Sequence, residues 1–279
     1  MSIRQPAVAG SWYPDDPDAL GAEVDRHLKD AEAGPSGTVL AIVVPHAGLR
    51  YSGPVAAFAY GLLAGRPYDV AVLVGPSHGT AFQGVAVYAH GAFATPLGRV
   101  TVAEECAAAI ARASPGVTDR PDAHLREHSL EMQLPFLQRV LPGTPIVPLL
   151  MGAQTRDTIL DLGAGLAAAL AGRRALLVAS TDLSHYHDAT TAARLDGRVI
   201  DKIRSFDSDG LLRTLERFPQ LACGGGPTVS VMRAAWALGA RDARILRYAD
   251  SGDVSGDKDA VVGYVAAALG NFDKGTARP

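Results

Sequence analysis

Three histidines and one cysteine stand where a metal site or a redox reaction would need them. His46 follows Val43-Val44-Pro45, and His78 follows Val74-Gly75-Pro76-Ser77. His185 closes Val178-Ala179-Ser180-Thr181-Asp182-Leu183-Ser184. Each lies a few residues beyond a short apolar run. Imidazoles ligate zinc, copper and iron, and they carry protons near neutral pH. Cys223 sits in Leu221-Ala222-Cys223-Gly224-Gly225-Gly226-Pro227, directly before a helical apolar pattern. Pro227 suits a first helical position, and glycines let backbone approach a ligand closely. A helix N-terminus favours thiolate over thiol, so Cys223 is expected to be a nucleophile or a metal ligand. Asp182 is either a helix cap or a member of the same pocket. A second cluster, Glu127-His128-Ser129-Leu130-Glu131, is expected on a helix. There Glu127 shares a face with Glu131, as does His128, and the group can add acid–base chemistry or hold ligands in place.

Other candidates have plainer readings. His27, His90, His124 and His187 are expected to be surface or turn residues, and Cys106, in an Ala-rich helix, to be inert. Neither Ser77 nor Ser184 lies in a Gly-x-Ser-x-Gly turn. The triple glycine lacks the Lys-Ser/Thr of a phosphate loop. Asp250–Asp259 does not keep EF-hand spacing and reads as a solvated turn.

The elements that must position these groups alternate. Apolar runs at Thr38–Val44, Asp69–Gly75, Gly84–Ala89, Thr144–Leu150, Ala175–Ala179, Arg244–Tyr248 and Ala260–Ala268 read as strands. Several lack polar alternation, as strands covered on both faces do. Helical spacing covers Pro17–Ala33, Gly53–Ala64, Val102–Ala113, Ser129–Leu141, Thr155–Ala171, Ala189–Arg204, Asp209–Arg217 and Pro227–Leu238. The expectation is an α/β fold, with a mostly parallel central sheet flanked by helices in a single domain. Pro6 to Asp18 reads as an extended arm or loop, and the tail from Asp273 as frayed. In open parallel sheets the ligand crevice lies beyond the carboxyl ends of the strands, so separate segments deliver His46, His78, Asp182 and His185 to one edge.

Composition agrees with a folded protein. Of 279 residues 48% are hydrophobic and 20% charged, enough for a sizeable core. A net charge of −3 with no basic run gives no support for nucleic acid or an anionic membrane as partner. Two cysteines cannot build a disulfide framework. No signal-peptide stretch or bilayer-length apolar segment is seen, and a cytoplasmic protein is expected.

Taken together, Ala9-Gly10-Ser11-Trp12-Tyr13, Pro45-His46-Ala47-Gly48, Tyr51-Ser52-Gly53, Gly75-Pro76-Ser77-His78, Glu127–Pro135, Ser180–His185 and Cys223-Gly224 resemble the Memo family, known in prokaryotes as AmmeMemoRadiSam system protein B. The resemblance runs over nearly the whole chain. It implies a fold like that of class III extradiol (LigB-type) dioxygenases, in which two histidines and a carboxylate hold Fe(II) beside a catalytic histidine. By that resemblance His46, His78 and Cys223 become metal ligands, Cys223 replacing the carboxylate, and His185 takes the catalytic position with Asp182 beside it. Glu127, His128, Glu131, Ser77 and Tyr51 would support the ligands or line the substrate pocket. Fe(II) or Cu is implied as cofactor, with Zn also compatible, and the expected function is metal-dependent redox or oxygenase chemistry on a small-molecule substrate. Radical SAM and AMMECR-like proteins are possible partners by family association. Ring cleavage of a catechol, a metal-free ligand-binding scaffold, and a thiol enzyme using Cys223 remain alternatives.

Overall fold

The computed structural model describes residues 2–31 and 34–273. Twelve strands appear among them: β1 (Ile3–Arg4), β2 (Gly37–Val44), β3 (Val70–Pro76), β4 (Val85–Val87), β5 (Ala92–Thr95), β6 (Gly98–Thr101), β7 (Val117–Asp119), β8 (Ile146–Met151), β9 (Ala175–Ser180), β10 (His185–His187), β11 (Asp242–Asp250) and β12 (Val261–Phe272). The helices are α1 (Pro17–Asp30), α2 (Leu49–Gly61), α3 (Glu104–Ala113), α4 (Pro121–His124), α5 (Leu134–Val140), α6 (Arg156–Ala169), α7 (Ala189–Arg204), α8 (Ser208–Arg217), α9 (Gly225–Ala237) and α10 (Gly252–Ser255).

The fold is α/β, with a large sheet flanked by helices. Its strand order is β10-β12-β2-β9-β3-β8-β4-β7, and β11 also pairs β12. The middle of the sheet, β2-β9-β3-β8, is parallel. On one side β12 runs antiparallel to β2, β10 and β11, and on the other β4 runs antiparallel to β8. The sheet is thus parallel at its centre and mixed at its flanks. A small separate sheet joins β1, β5 and β6.

The unbroken apolar runs have a direct cause. Successive side chains alternate between two cores, one on each face of the sheet. Val70, Val72 and Val74 enter one core, whereas Ala71 and Leu73 enter the other. The first core is closed by α3, α6, α7, α8 and α9, the second by α1, α2 and α5. Both faces are covered, so the strands carry apolar residues in succession rather than in alternation with polar ones.

Several boundaries differ from the sequence reading. Helix α2 starts at Leu49 and carries Pro54 inside it, rather than beginning at Gly53. The segment read as a helix over Ser129–Leu141 is a 3-10 turn, Glu131–Gln133, leading into α5. The acidic stretch Asp250–Asp259 contains α10, and Asp250 is buried rather than solvated. Helix α1 begins as its residues dictate: Pro17 opens it and the Asp16 carboxylate accepts from Ala19 N–H at 2.8 Å. The tail read as frayed lies, beyond Asp273, outside the described residues. Among those described, no helix is long and apolar enough to cross a membrane.

Candidate metal centre

The centre is built where the parallel strands end. His46 leaves β2 through Pro45 and is buried. Register pairs Val44 with Ser180, which sets the last residue of β9 beside it. Ser180 Oγ donates its one proton to Ser129 O at 2.7 Å. It also meets Gln133 Nε2, a donor, at 2.9 Å and His46 Nδ1 at 2.8 Å. With the hydroxyl proton committed to a carbonyl, Ser180 Oγ must accept from His46. Nδ1 therefore carries the ring proton and Nε2 presents a lone pair. Gln133 is fixed in turn by Tyr60 Oη, at 2.9 Å, and Pro45 O, at 3.0 Å.

His78 obeys the same logic through a different partner. The Glu127 carboxylate accepts from His78 Nδ1 at 2.9 Å and from His78 N at 2.5 Å. It accepts also from the backbone N–H of His128, at 3.0 Å, and of Ser129, at 2.9 Å. A carboxylate only accepts, so His78 too keeps its proton on Nδ1. The His128 Nδ1 lies 3.4 Å from the same carboxylate. The His78 and His128 rings stack at 4.6 Å, and His46 meets each edge-on, at 5.2 and 5.6 Å. One donor atom from each of His46, His78 and His128 lies within 4.8 Å of the others. Cys223 touches this trio through His46: its Sγ is 3.2 Å from His46 Nε2.

Charge is kept low in the pocket. Burial, reinforced by the neighbouring imidazoles, lowers His46 well below the ordinary histidine range. Burial also takes His128 down to about 4 and lowers His185. Desolvation alone would raise Glu127, but its bonds to His78 and Ser129 outweigh it and hold the carboxyl low. Burial raises Asp182 to about 7 despite the N–H bonds it accepts from His46, at 2.7 Å, and Ala47. Cys223 is raised by burial and by the nearby Asp182 charge. The expectation that the N-terminus of α9 makes Cys223 a thiolate is therefore corrected. The dipole contributes tenths of a kcal/mol to about 2, less than the desolvation it opposes.

The remaining candidates divide. Asp182 is no helix cap; it braces the His46 turn. His185 opens β10, paired with Val262 of β12; it is half-buried and stands outside the histidine trio. Glu131 is engaged elsewhere: fully buried, it pairs with Arg4 and accepts from Ala7 N, Val8 N and Tyr13 Oη. It thereby fastens the N-terminal arm. Ser77 turns its own loop, donating to Thr80 O at 2.8 Å. Tyr51 is exposed on the first turn of α2, beside the Gly48 turn. His27 and His124, expected to be surface or turn residues, are both buried.

The structure adds groups that the sequence did not single out. Trp12, on the arm that Glu131 fastens, lies over the His128 ring at 4.2 Å. Gln154 spans the Cys223 turn, donating to Cys223 O at 2.6 Å and accepting from Gly226 N at 2.7 Å. Gln133, four residues past Ser129, is a further such group, bonded to Ser180 and Ser129. A cavity of 340 Å³ reaches Cys223 from the side of α8, between Gln154, Ile159, Leu212 and Leu215. A larger one, of 580 Å³, opens at the opposite ends of the strands beside Thr38 and Arg173 and holds none of the candidate residues.

An α/β sheet whose parallel strands end in hydrogen-bond-braced imidazoles defines a class of protein with a pocket able to take a metal ion. The model of the Memo-like protein family matches residues 4–268. The chain is 40% identical to a MEMO1 family protein of Methanopyrus kandleri, over 94% of this chain and 97% of that one. It is 41% identical to one from Methanothermobacter thermautotrophicus (94% and 98%) and 42% identical to one from Pyrobaculum aerophilum (95% and 98%). The chain belongs to the Memo family.

Proposed function

We propose that the pocket holds a transition metal, Fe(II) or Cu with Zn as a further possibility, between His46 Nε2, His78 Nε2 and Cys223 Sγ. A small-molecule substrate would be handled beside it. One observation carries this reading: hydrogen bonds commit both Nδ1 protons, to Ser180 and to Glu127, so both Nε2 atoms are lone pairs in advance. Two imidazoles and one sulfur suit these softer metals and not Mg or Ca. Bound there, such a metal would supply Lewis acidity or, as iron or copper, an electron couple. The chain's own contributions are separate. Glu127 and Ser180 orient the ligands, Trp12 packs at a tilt against His128, and His185 moves a proton, its burial-lowered basicity keeping it neutral and able to accept.

A second ligand set has its own support, because His128 rather than Cys223 completes the trio within 4.8 Å. Elemental analysis of untagged protein, anaerobic and aerobic, tests both readings together with Cys223→Ser and His128→Ala. Near-equimolar metal lost in Cys223→Ser and kept in His128→Ala supports the first set, and the reverse supports the second. Absence of stoichiometric metal after anaerobic loading with Fe(II), Cu(I) or Zn(II) would sink both.

A further inference from the structure

We propose that Asp196, deep in α7, is the positioning residue for His185, fixing the backbone on which that imidazole stands. The proposal rests on the reading of His185 as the proton-handling group of the pocket.

A fully buried carboxylate is uncommon and needs a reason. Helix α7 is well made without it, since the Asp188 side chain caps it by accepting from Thr191 N at 3.0 Å. Asp196 instead accepts from Ser184 N at 2.9 Å and from Tyr248 Oη at 2.8 Å. Ser184 is the residue before His185. The opposite side of the same segment is bonded to β12: Leu183 N donates to Gly263 O at 2.8 Å, and Gly263 N donates to Ser184 O at 3.0 Å. Gly263 is required by close approach, because a methyl group there would collide with Asp196 Oδ2. Asp196, Tyr248 and Gly263, from α7, β11 and β12, therefore close one clamp around residues 183–184.

The clamp restrains a segment that would not hold its shape alone. Tyr186 has φ of 62°, a left-handed conformation that a bulky side chain rarely adopts. The pairing of β10 with β12 shifts register between His185 and His187. Strain of this kind persists only where surrounding structure over-determines it. A ring carried on a backbone fixed in this way meets one set of neighbours, so its proton is expected to rest on one nitrogen. Asp196 thus reaches the imidazole through Ser184 and Gly263 without touching substrate.

The test uses the full chain with isotope-labelled histidine and long-range proton–nitrogen spectra, which report the tautomer of each ring. His185→Gln assigns the His185 signals. Wild type is expected to show one tautomer for His185. Asp196→Ala should lose that single-tautomer signature. Asp196→Asn keeps an oxygen acceptor for Ser184 N and should restore it. Zinc affinity, read by competition with a chromophoric chelator, should be unchanged in all of them, which a general loosening of the pocket would not leave intact. A folded Asp196→Ala protein with the wild-type His185 signals overturns the proposal. Should Asp196→Ala not fold, Tyr248→Phe releases one of the two carboxylate bonds. Tautomer averaging in that variant supports the clamp, and an unaltered His185 overturns it. Failure of wild type to bind zinc, with this coupling intact, would count against the metal reading alone.

Discussion

Ser180→Ala is the most direct probe of how the pocket prepares its ligands. The hydroxyl is fully buried and joins His46, Gln133 and Ser129. Removing it does not orphan all three. Gln133 Nε2 keeps Pro45 O at 3.0 Å and reaches Ser129 O at 3.3 Å, so both that amide and the Ser129 carbonyl retain a partner. The group left alone is His46 Nδ1–H, in a buried ring. One buried donor without a partner costs about 1–3 kcal/mol. The loss of the oxygen atom leaves too small a hole to add much. Urea unfolding of metal-free protein should therefore show a fall of that size with an unchanged slope.

The second consequence is chemical. Without Ser180 nothing holds the His46 proton on Nδ1, and it can move to Nε2, where Cys223 Sγ waits at 3.2 Å. The nitrogen that should bind metal is then partly protonated. Removing such an outer partner typically lowers metal affinity about 10–100-fold. Zinc competition against a chromophoric chelator reads this directly. Destabilisation of the expected size together with wild-type zinc affinity would refute the reasoning, because Ser180 would then hold the ring without setting its tautomer.

Further outcomes follow from the same coordinates. Glu127→Gln removes the carboxylate that orients His78 and lies against His128, and zinc affinity should drop by about 10–100-fold; an unchanged isotherm rejects that role. Arg4→Met leaves the buried Glu131 without its cation and should cost about 3–5 kcal/mol. In a Trp236→Phe background the same change should shift Trp12 emission toward that of solvated indole, and unaltered stability and emission would show that the arm is held by other contacts. Burial lowers His124 from 6.5 to about 4. Its neutral form is favoured by folding, so its contribution to stability is fully present above pH 6.5 and is lost as pH falls through 4. His124→Gln should flatten the stability profile between those values, and a profile superimposable on wild type argues against the assignment.

What the chain discloses in one dimension depends on how local the cause is. The strand-end histidines were legible because dry apolar runs followed by proline mark where a buried strand stops. Helix α7 was readable over its whole span, Ala189–Arg204, because an amphipathic repeat of that length has no other use. The short strands β1, β5, β6 and β7 were not, since two to four residues carry no periodicity. The start of α2 was hidden because Gly53 and Pro54 look like a boundary, yet Pro54 sits close enough to the start for the helix to absorb it. Glu131 was drawn toward the pocket by its neighbours in sequence. Its partner Arg4 lies 127 residues away, and no local pattern announces that pairing. The state of Cys223 was misjudged for a related reason: a dipole is visible from a glycine turn, but desolvation belongs to everything that packs around it.

That last point decides between the two ligand sets. In the metal-free pocket burial keeps His46 and His128 neutral, while Cys223 is held as a thiol by burial and by Asp182. A metal taking His46, His78 and Cys223 must therefore expel the thiol proton, a loss that one taking His46, His78 and His128 does not require. Asp182, at about 7, would blur the count at neutral pH by releasing a proton of its own to the incoming charge. At pH 8 and above it is already ionised and His46 and His128 are already neutral, so the thiol proton is the one that separates the two ligand sets. Zinc added there to weakly buffered protein, with a pH indicator, should release close to one proton per ion bound. A release near zero would remove Cys223 from the coordination sphere and leave the three imidazoles as the donors.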